Sequence, residues 1–381
     1  MKIVADANIP LLAEAFAPLG EVAAIPAHRM APEVLRDADA LLVRSVTRVD
    51  AALLANSRVR FVATATIGFD HIDKAYLARR GIGFAYAPGS NARSVAEYVL
   101  AAIFTLAERR RLRVTGEVLG IVGCGNVGGR LARMAEALGM KVLRNDPPLA
   151  RQTGDLRYVP IDALAGADIV TFHVPLERSG PNATYHMIDR ALLARLKRGV
   201  TLINTSRGAV ADTAALKAAI DAKHLGAVVL DVWENEPNID CELLERVNLA
   251  TPHIAGYSYD GKVNGTRMVL EALCKHFGLR REWDPSPLMP PAASPRVRLP
   301  AGITVEKAVH EAARAAYDIE SDDRRLRAVL AEPSEKRGEF FDSLRKNYPA
   351  RREFPETTVE LAEPNAAVKA AVEALSFKVP M

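Results

Sequence analysis

The stretch Val118-Leu119-Gly120-Ile121-Val122-Gly123-Cys124-Gly125-Asn126-Val127-Gly128 decides the fold of this 381-residue chain. Its first five residues are an apolar run of the length of a buried strand. A helix-like segment follows to Leu138, is stopped by Gly139, and leads into a second strand, Met140 to Asn145, that ends at Asp146. Strand, glycine turn, helix and strand, with an acid 23 positions after the first glycine, read as a dinucleotide-binding unit. Gly123 permits the tight turn, Gly125 lets the backbone approach a pyrophosphate, and Gly128 lets helix and strand pack closely. Asn126 and Val127 belong to the same cradle, where the free N–H groups and positive dipole end of the helix meet the phosphates. Asp146 is placed to accept hydrogen bonds from the adenosine ribose and to repel a 2′-phosphate. The cofactor expected is therefore NAD rather than NADP.

Working outward, the length predicts two or three domains, each with its own core. Composition is that of an ordinary globular protein, 49% hydrophobic and 25% charged. No run approaches the ~18 uninterrupted apolar residues of a membrane-spanning helix. The richest stretch, Val95 to Leu106, contains Glu97 and reads as a buried core helix. The chain enters a strand at Lys2 without a signal-peptide layout, and three scattered cysteines suggest neither disulfides nor a metal site. The expectation is a cytoplasmic protein without metal or membrane. A net charge of +4 is too small to imply nucleic acid and is compatible with small anionic substrates.

Residues 1 to about 90 alternate candidate strands (Lys2–Ala5, Glu21–Ile25, Ala40–Arg44, Phe61–Thr64, Gly83–Tyr86) with amphipathic stretches, the pattern of a parallel sheet covered by helices. In such folds ligands lie beyond the carboxyl ends of the strands, which singles out Arg44-Ser45 and Thr66-Ile67-Gly68. Asn91 to Arg113 reads as one long helix into the next domain. Its arginines 109, 110, 111 and 113 read as a solvated end that complements the helix dipole. Further strands are expected at Asp168–His173, Val200–Asn204, Ala227–Asp231 and Asn248–Ala250, with a helix from Asp212 to Lys223 capped by Asp212. Tyr257 to Phe277 is expected to return to the first domain. Six prolines between 281 and 300 read as a linker. Beyond it lie helical patterns at Val305–Ile319, Asp322–Leu330 and Asn365–Leu375 and a strand-like Thr357–Leu361.

The fold class predicted is α/β: two Rossmann-like doubly wound parallel-sheet domains with a cleft between them, plus a small α+β C-terminal dimerisation domain. The boundaries expected are 1–92 with 254–282 for substrate, 93–253 for NAD, 283–300 as the Pro-rich linker and 301–381 for dimerisation.

The chemistry concentrates in three fragments at strand ends: Asn204-Thr205-Ser206-Arg207-Gly208, Asp231-Val232-Trp233-Glu234-Asn235-Glu236-Pro237 and Thr251-Pro252-His253-Ile254-Ala255-Gly256. Oxidising a hydroxy acid beside a nicotinamide needs a cation for the carboxylate, a base for the hydroxyl proton and a group that orients the base. Arg207 suits the first, since a planar guanidinium grips a carboxylate bidentately. His253 suits the second and Glu236 the third, because a carboxylate beside imidazole fixes its tautomer and favours its charged form. Taken singly, such residues are commoner as surface ion pairs or packing groups; their shared place at strand ends downstream of the glycine loop makes them catalytic candidates. His173 reads as packing, and His71, His186 and His224 have no partner identifiable in the sequence.

Gly123–Gly128, Ser206-Arg207-Gly208, Asp231 to Pro237 and Thr251 to Gly256 resemble the signature blocks of the D-2-hydroxyacid dehydrogenase family, over residues 1 to about 280. Arg44-Ser45-Val46-Thr47, Thr64 to His71 and Tyr257 resemble the branch that oxidises a four-carbon phosphorylated acid and carries a C-terminal dimerisation domain. The resemblance implies catalytic roles for Arg207, Glu236 and His253. It implies substrate contacts at Ser45, Thr66 and Tyr257, and cofactor contacts at Asp146, Val174, Ser206, Asp231 and Gly256, that at Val174 through the backbone. The partners implied are a small anionic phosphorylated hydroxy acid and a second copy of the chain. Two rivals stay open: a dehydrogenase for a shorter phosphorylated acid or another D-2-hydroxy acid, and an NAD-sensing corepressor on the same fold.

Overall fold

A computed structural model describes residues 1–110 and 114–380; the side chain of Arg110, and the arginines expected at 111 and 113, lie outside the described residues. The chain divides into two compact units, Met1–Asn91 with Ser258–Pro290, and Ala92–Tyr257 with Pro291–Met381.

In the first unit β1 (Lys2–Asp6), β2 (Glu21–Ile25), β3 (Ala40–Val43), β4 (Phe61–Thr64) and β5 (Gly83–Tyr86) form a parallel sheet in the order β2-β1-β3-β4-β5. β3 and β4 are buried at every position, which is why they read as continuous apolar runs rather than alternating ones. The helix Tyr259–Phe277 places Val269, Leu270, Leu273 and Cys274 in one cluster with Ile3, Ala40, Phe61 and Ala63, so the chain does return to this unit. Ser258 caps that helix through the Gly261 N–H.

The second unit holds β6 (Val118–Val122), β7 (Lys141–Asn145), β8 (Ile169–Phe172), β9 (Val200–Asn204), β10 (Leu225–Leu230) and β11 (Leu249–Ala250), parallel in the order β11-β10-β9-β8-β6-β7. The order reverses at β6, with β7 on one side and β8 on the other. That reversal is the switch point at which doubly wound sheets bind ligands. The helix Thr213–Asp221 is capped by Asp212, as its sequence predicts.

The expected boundaries shift in one respect. A two-stranded parallel sheet pairs β12 (Arg296–Leu299), from the end of the expected linker, with β13 (Thr358–Leu361), and residues 301–381 share a core with the dinucleotide unit. Val309, Ala312, Phe354, Val368 and Val372 lie in the same buried cluster as Tyr98, Leu119 and Leu131 of the dinucleotide unit. The apolar faces of the last helices close a seam left open by the helices Ala92–Arg110 and Asn126–Ala137. The Pro-rich stretch is correspondingly not all linker: it contains β12, and only its first part, to Pro290, stays with the first unit. The helix expected over Val305–Ile319 ends at Ala316, and a new one, Ile319–Arg327, starts with Asp318 as its cap. The helix Arg337–Lys346 had no counterpart in the sequence reading. Among the described residues no helix is long and apolar enough to cross a membrane.

Candidate functional site

The glycine turn follows β6 as its spacing requires. Gly123 has φ +88°, and a Cβ there would meet the His173 carbonyl at 2.6 Å and Val174 Cγ1 at 2.9 Å. Val174 thus flanks the turn from the end of β8. A Cβ on Gly128 would lie 2.0 Å from the Gly123 carbonyl oxygen, so the helix can approach only because that position is bare. At Gly125, in contrast, a Cβ would meet nothing within 4 Å. Gly125 is also the N-cap of the helix Asn126–Ala137, and no side chain satisfies the first amides. Open space, free amides and a helix dipole together fit a pyrophosphate. Asp146 already holds two backbone amides, Cys124 N at 2.8 Å and Leu149 N at 3.0 Å. It therefore fixes the glycine loop as well as carrying the negative charge expected to face a ribose.

Three strand ends of the same unit carry the candidate catalytic groups. His253 Nδ1 lies 2.7 Å from Glu236 Oε2, and the other Glu236 oxygen accepts the Trp233 N–H at 2.7 Å. Burial works to raise the Glu236 pKa, but the His253 imidazole, the Trp233 N–H and the Arg345 guanidinium outweigh it and hold the carboxyl below its ordinary value. His253 itself has φ +56°, a left-handed backbone uncommon for a residue with a side chain. Asp231 holds it there. One of its oxygens accepts Thr251 Oγ1 and the Ile254 N–H, each at 2.7 Å, the other accepts the Ala255 N–H at 3.0 Å, and its carbonyl accepts the His253 N–H at 2.7 Å. Tyr98, from the helix Ala92–Arg110, joins this network through Thr251 at 2.7 Å. Asp231, assigned to the cofactor by resemblance, is thus spent largely on the loop that carries His253 and continues to Gly256 and Tyr257.

Arg207 begins a short turn after β9. Its Nη1 donates to the Ser206 carbonyl at 2.8 Å, and Ser206 is buried with its hydroxyl 2.7 Å from Asn204 Oδ1. A Cβ on the next residue, Gly208, would fall 1.9 Å from the Trp233 carbonyl, so the Arg207 turn abuts the segment that supplies Glu236. The loops bearing Arg207, Glu236 and His253 are therefore brought together at the carboxyl edge of one sheet. With Nδ1 committed to Glu236, the His253 Nε2 is the atom left to exchange a proton, since it makes no hydrogen bond to the described residues.

Ser45 and Thr66 lie in the first unit, just beyond β3 and β4 at the carboxyl edge of that sheet. Ser45 is exposed; Thr66 is half-buried, its hydroxyl donating to the Gly68 carbonyl at 2.9 Å and lying 2.7 Å from Thr64 Oγ1.

The remaining histidines acquire partners that sequence alone did not show. His71 Nε2 lies 3.2 Å from Thr64 Oγ1, and His224 Nε2 contacts the Leu193 and Leu196 carbonyls. His186 pairs with Glu234 at 2.6 Å. His173 is bracketed by Thr171 and Thr205, each at 3.0 Å, and burial pushes its pKa down to about 3, leaving a neutral packing group. Tyr98 and Thr251 were missed because nothing local marks them; they matter only once β11 places Thr251 beside Asp231.

A family profile described as "D-isomer specific 2-hydroxyacid dehydrogenase, NAD binding domain" matches residues 91–255, and a "Domain of unknown function (DUF3410)" matches residues 288–375. Among curated proteins, the erythronate-4-phosphate dehydrogenase of Salinibacter ruber is 50% identical over 99% of both chains. That of Marinobacter nauticus is 46% identical, again over 99% of each. Among solved structures, Aquifex aeolicus D-lactate dehydrogenase with NAD and lactic acid superposes with a TM-score of 0.60 at 26% identity, covering 72% of this chain and 96% of its own. NAD-bound 3-phosphoglycerate dehydrogenase of Entamoeba histolytica gives 0.61 at 25% identity, covering 73% and 95%. These two structures leave about a quarter of this chain unmatched, whereas the full-length relatives leave almost none. The chain belongs to the D-isomer specific 2-hydroxyacid dehydrogenases, in the branch of the erythronate-4-phosphate dehydrogenases.

Proposed function

We propose that this protein oxidises the 2-hydroxyl of 4-phospho-D-erythronate to the 2-oxo acid, 2-oxo-3-hydroxy-4-phosphobutanoate, with NAD as hydride acceptor, in the synthesis of pyridoxal 5′-phosphate, and that it works as a homodimer. The observation that carries the reading is the His253–Glu236 pair at 2.7 Å, held at the carboxyl edge of the sheet whose glycine turn is shaped for a dinucleotide. Glu236 holds the proton on Nδ1, so Nε2 is basic and takes the hydroxyl proton as carbon 2 is oxidised. Arg207 holds the substrate carboxylate; NAD, when held at the glycine turn, would supply the hydride acceptor for carbon 2. Gly123, Gly125, Asn126, Val127, Gly128 and Asp146 receive the nucleotide, with Val174, Ser206, Asp231 and Gly256 lining its nicotinamide end. Tyr257 contacts the substrate, as do Ser45 and Thr66, whose support is their position beyond two parallel strand ends.

The substrate choice follows the full-length relatives, which match up to 99% of this chain, rather than the 3-phosphoglycerate dehydrogenase, which covers 73% of it. NADH formation with 4-phospho-D-erythronate is expected to exceed that with 3-phosphoglycerate at least tenfold at equal concentration. The opposite preference would overturn the substrate assignment, and no turnover with either acid would favour an NAD sensor.

A further inference from the structure

The helix Arg337–Lys346 runs against the loop that supplies Glu236. Near its start, a Cβ on Gly338 would come within 2.6 Å of Asn238 Oδ1 and 3.4 Å of Pro237. Arg337 reaches the Cys241 sulfur at 3.3 Å and so fastens the same end. In the last turn sits Arg345. Its side chain is one-fifth exposed, and its guanidinium carbon lies 5.8 Å from the centroid of the Tyr257 ring, within hydrogen-bonding range of the Tyr257 hydroxyl. Tyr348 packs edge-on to the other side of this arrangement, 6.0 Å from Tyr257 between ring centroids.

Arg345 is matched by protein only in part: the Tyr257 hydroxyl, Glu236 and Asp342 favour its charged form despite burial, but not every donor is used. Its nearest ion-pair partner is Asp342, one turn earlier, at 3.6 Å and itself largely exposed. Its Nε is buried without a hydrogen-bond partner among the described residues. A cation this enclosed calls for an anion, and a buried donor left without an acceptor is unfavourable. Glu236 feels its field but spends its own oxygens on Trp233 and His253. A ligand anion beside Tyr257 would supply what is missing, and a guanidinium fork matches phosphate oxygens two at a time.

We propose that Arg345, delivered by the C-terminal segment and assisted by the Tyr257 hydroxyl, binds the phosphate dianion at the far end of the substrate. The inference rests on the substrate reading above and deepens it. Residues 291–381 then serve catalysis directly: they carry the cation that distinguishes a phosphorylated acid from a bare hydroxy acid. Arg207 holds one end of the substrate and Arg345 the other, on either side of the carbon that faces His253.

The test uses the full chain and the variants Arg345→Gln and Arg345→Lys. Arg345→Gln is expected to raise KM for 4-phospho-D-erythronate about 30-fold or more, as expected for loss of an enclosed ion pair. Its affinity for NAD, followed by fluorescence, stays within about twofold. Inorganic phosphate, a competitive inhibitor of the natural chain on this proposal, loses its grip on the Gln variant and regains part of it with Lys. A fall in kcat with unchanged KM and unchanged phosphate inhibition would overturn the proposal and make Arg345 a positioning group for Glu236. An unchanged KM in Arg345→Gln, with the rise appearing instead in Arg44→Gln, would overturn it in favour of the cation beyond β3. If the natural chain does not turn over 4-phospho-D-erythronate at all, it is the substrate reading that fails. If it does and Arg345→Gln matches it, only the present inference fails.

Discussion

The role proposed for His253 rests on the atom it has already committed. Nδ1 is tied to Glu236 at 2.7 Å, which leaves a single nitrogen able to take a proton and fixes where that nitrogen points. His253→Ala is expected to lower kcat about 10²- to 10⁴-fold. The Kd for NAD, measured by fluorescence titration, should change by less than about threefold, because none of the glycine-turn contacts involves the imidazole. Loss of NAD binding in this variant would make the residue structural. That Arg207, Glu236 and His253 lie on neighbouring loops was legible in the sequence because each follows an apolar run that ends at the same sheet edge. Asp231 was singled out in the sequence as a cofactor contact, but its hold on the His253 loop was not legible there. Its four contacts with residues 251–255 arise from two strand ends meeting across 20 or more residues, which no local pattern encodes. Arg345 was invisible for a similar reason, since its neighbours Tyr257 and Glu236 lie about ninety residues or more away in sequence.

At the scale of elements, the strands were legible almost to the residue: β2, β4, β5, β6 and β9 fall where the apolar runs lie. In β4, β6 and β9 burial makes both faces apolar, whereas the partly exposed edge strands β2 and β5 are delimited by Gly20 and Pro26 and by Gly81 and Pro88. Helices after residue 300 were harder. Arg337–Lys346 carries Arg, Glu, Asp and Lys on half of its positions and buries only Gly338 and Phe341. The long helix Ala92–Arg110 offers a pH test of how it meets the C-terminal segment. Glu97 is buried on it and accepts the Phe354 N–H at 3.1 Å. Burial first, and the Glu353 carboxylate second, push its pKa well above 4.5. The folded chain therefore holds a proton that the unfolded chain has lost. The associated stability is complete below pH 4.5 and drains away as pH rises through the folded value. Glu97→Gln keeps an acceptor for Phe354 without the charge. Its Tm relative to the natural chain is expected to be higher at pH 8 than at pH 5 by scanning fluorimetry; an equal difference at both pH values would refute this account.

For the whole molecule, the sequence announced a doubly wound α/β protein with extra C-terminal residues, and it located the return of the Tyr259–Phe277 helix to the first unit. It did not announce that those extra residues share their core with the dinucleotide unit. An amphipathic helix states that it has an apolar face, not which neighbour covers it. The proposed homodimer belongs to this scale. β12 is hydrogen-bonded to β13 and, among the described residues, to no other strand, so its outer edge is available to a further strand. Light scattering is expected to return twice the 41.3 kDa chain mass; a monomeric mass at micromolar concentration would remove the dimer from the reading.

The shared core also bears on how the protein is made. Leu119 and Leu131 leave the ribosome long before Val368 and Val372, which lie in the same buried cluster. At ~5–20 residues per second, the intervening stretch takes roughly 10–50 s to synthesise. During that interval the apolar seam beside the helices Ala92–Arg110 and Asn126–Ala137 waits for its cover. A chaperone docking on that seam, and letting go once the closing helices emerge, would match the order in which translation delivers the parts.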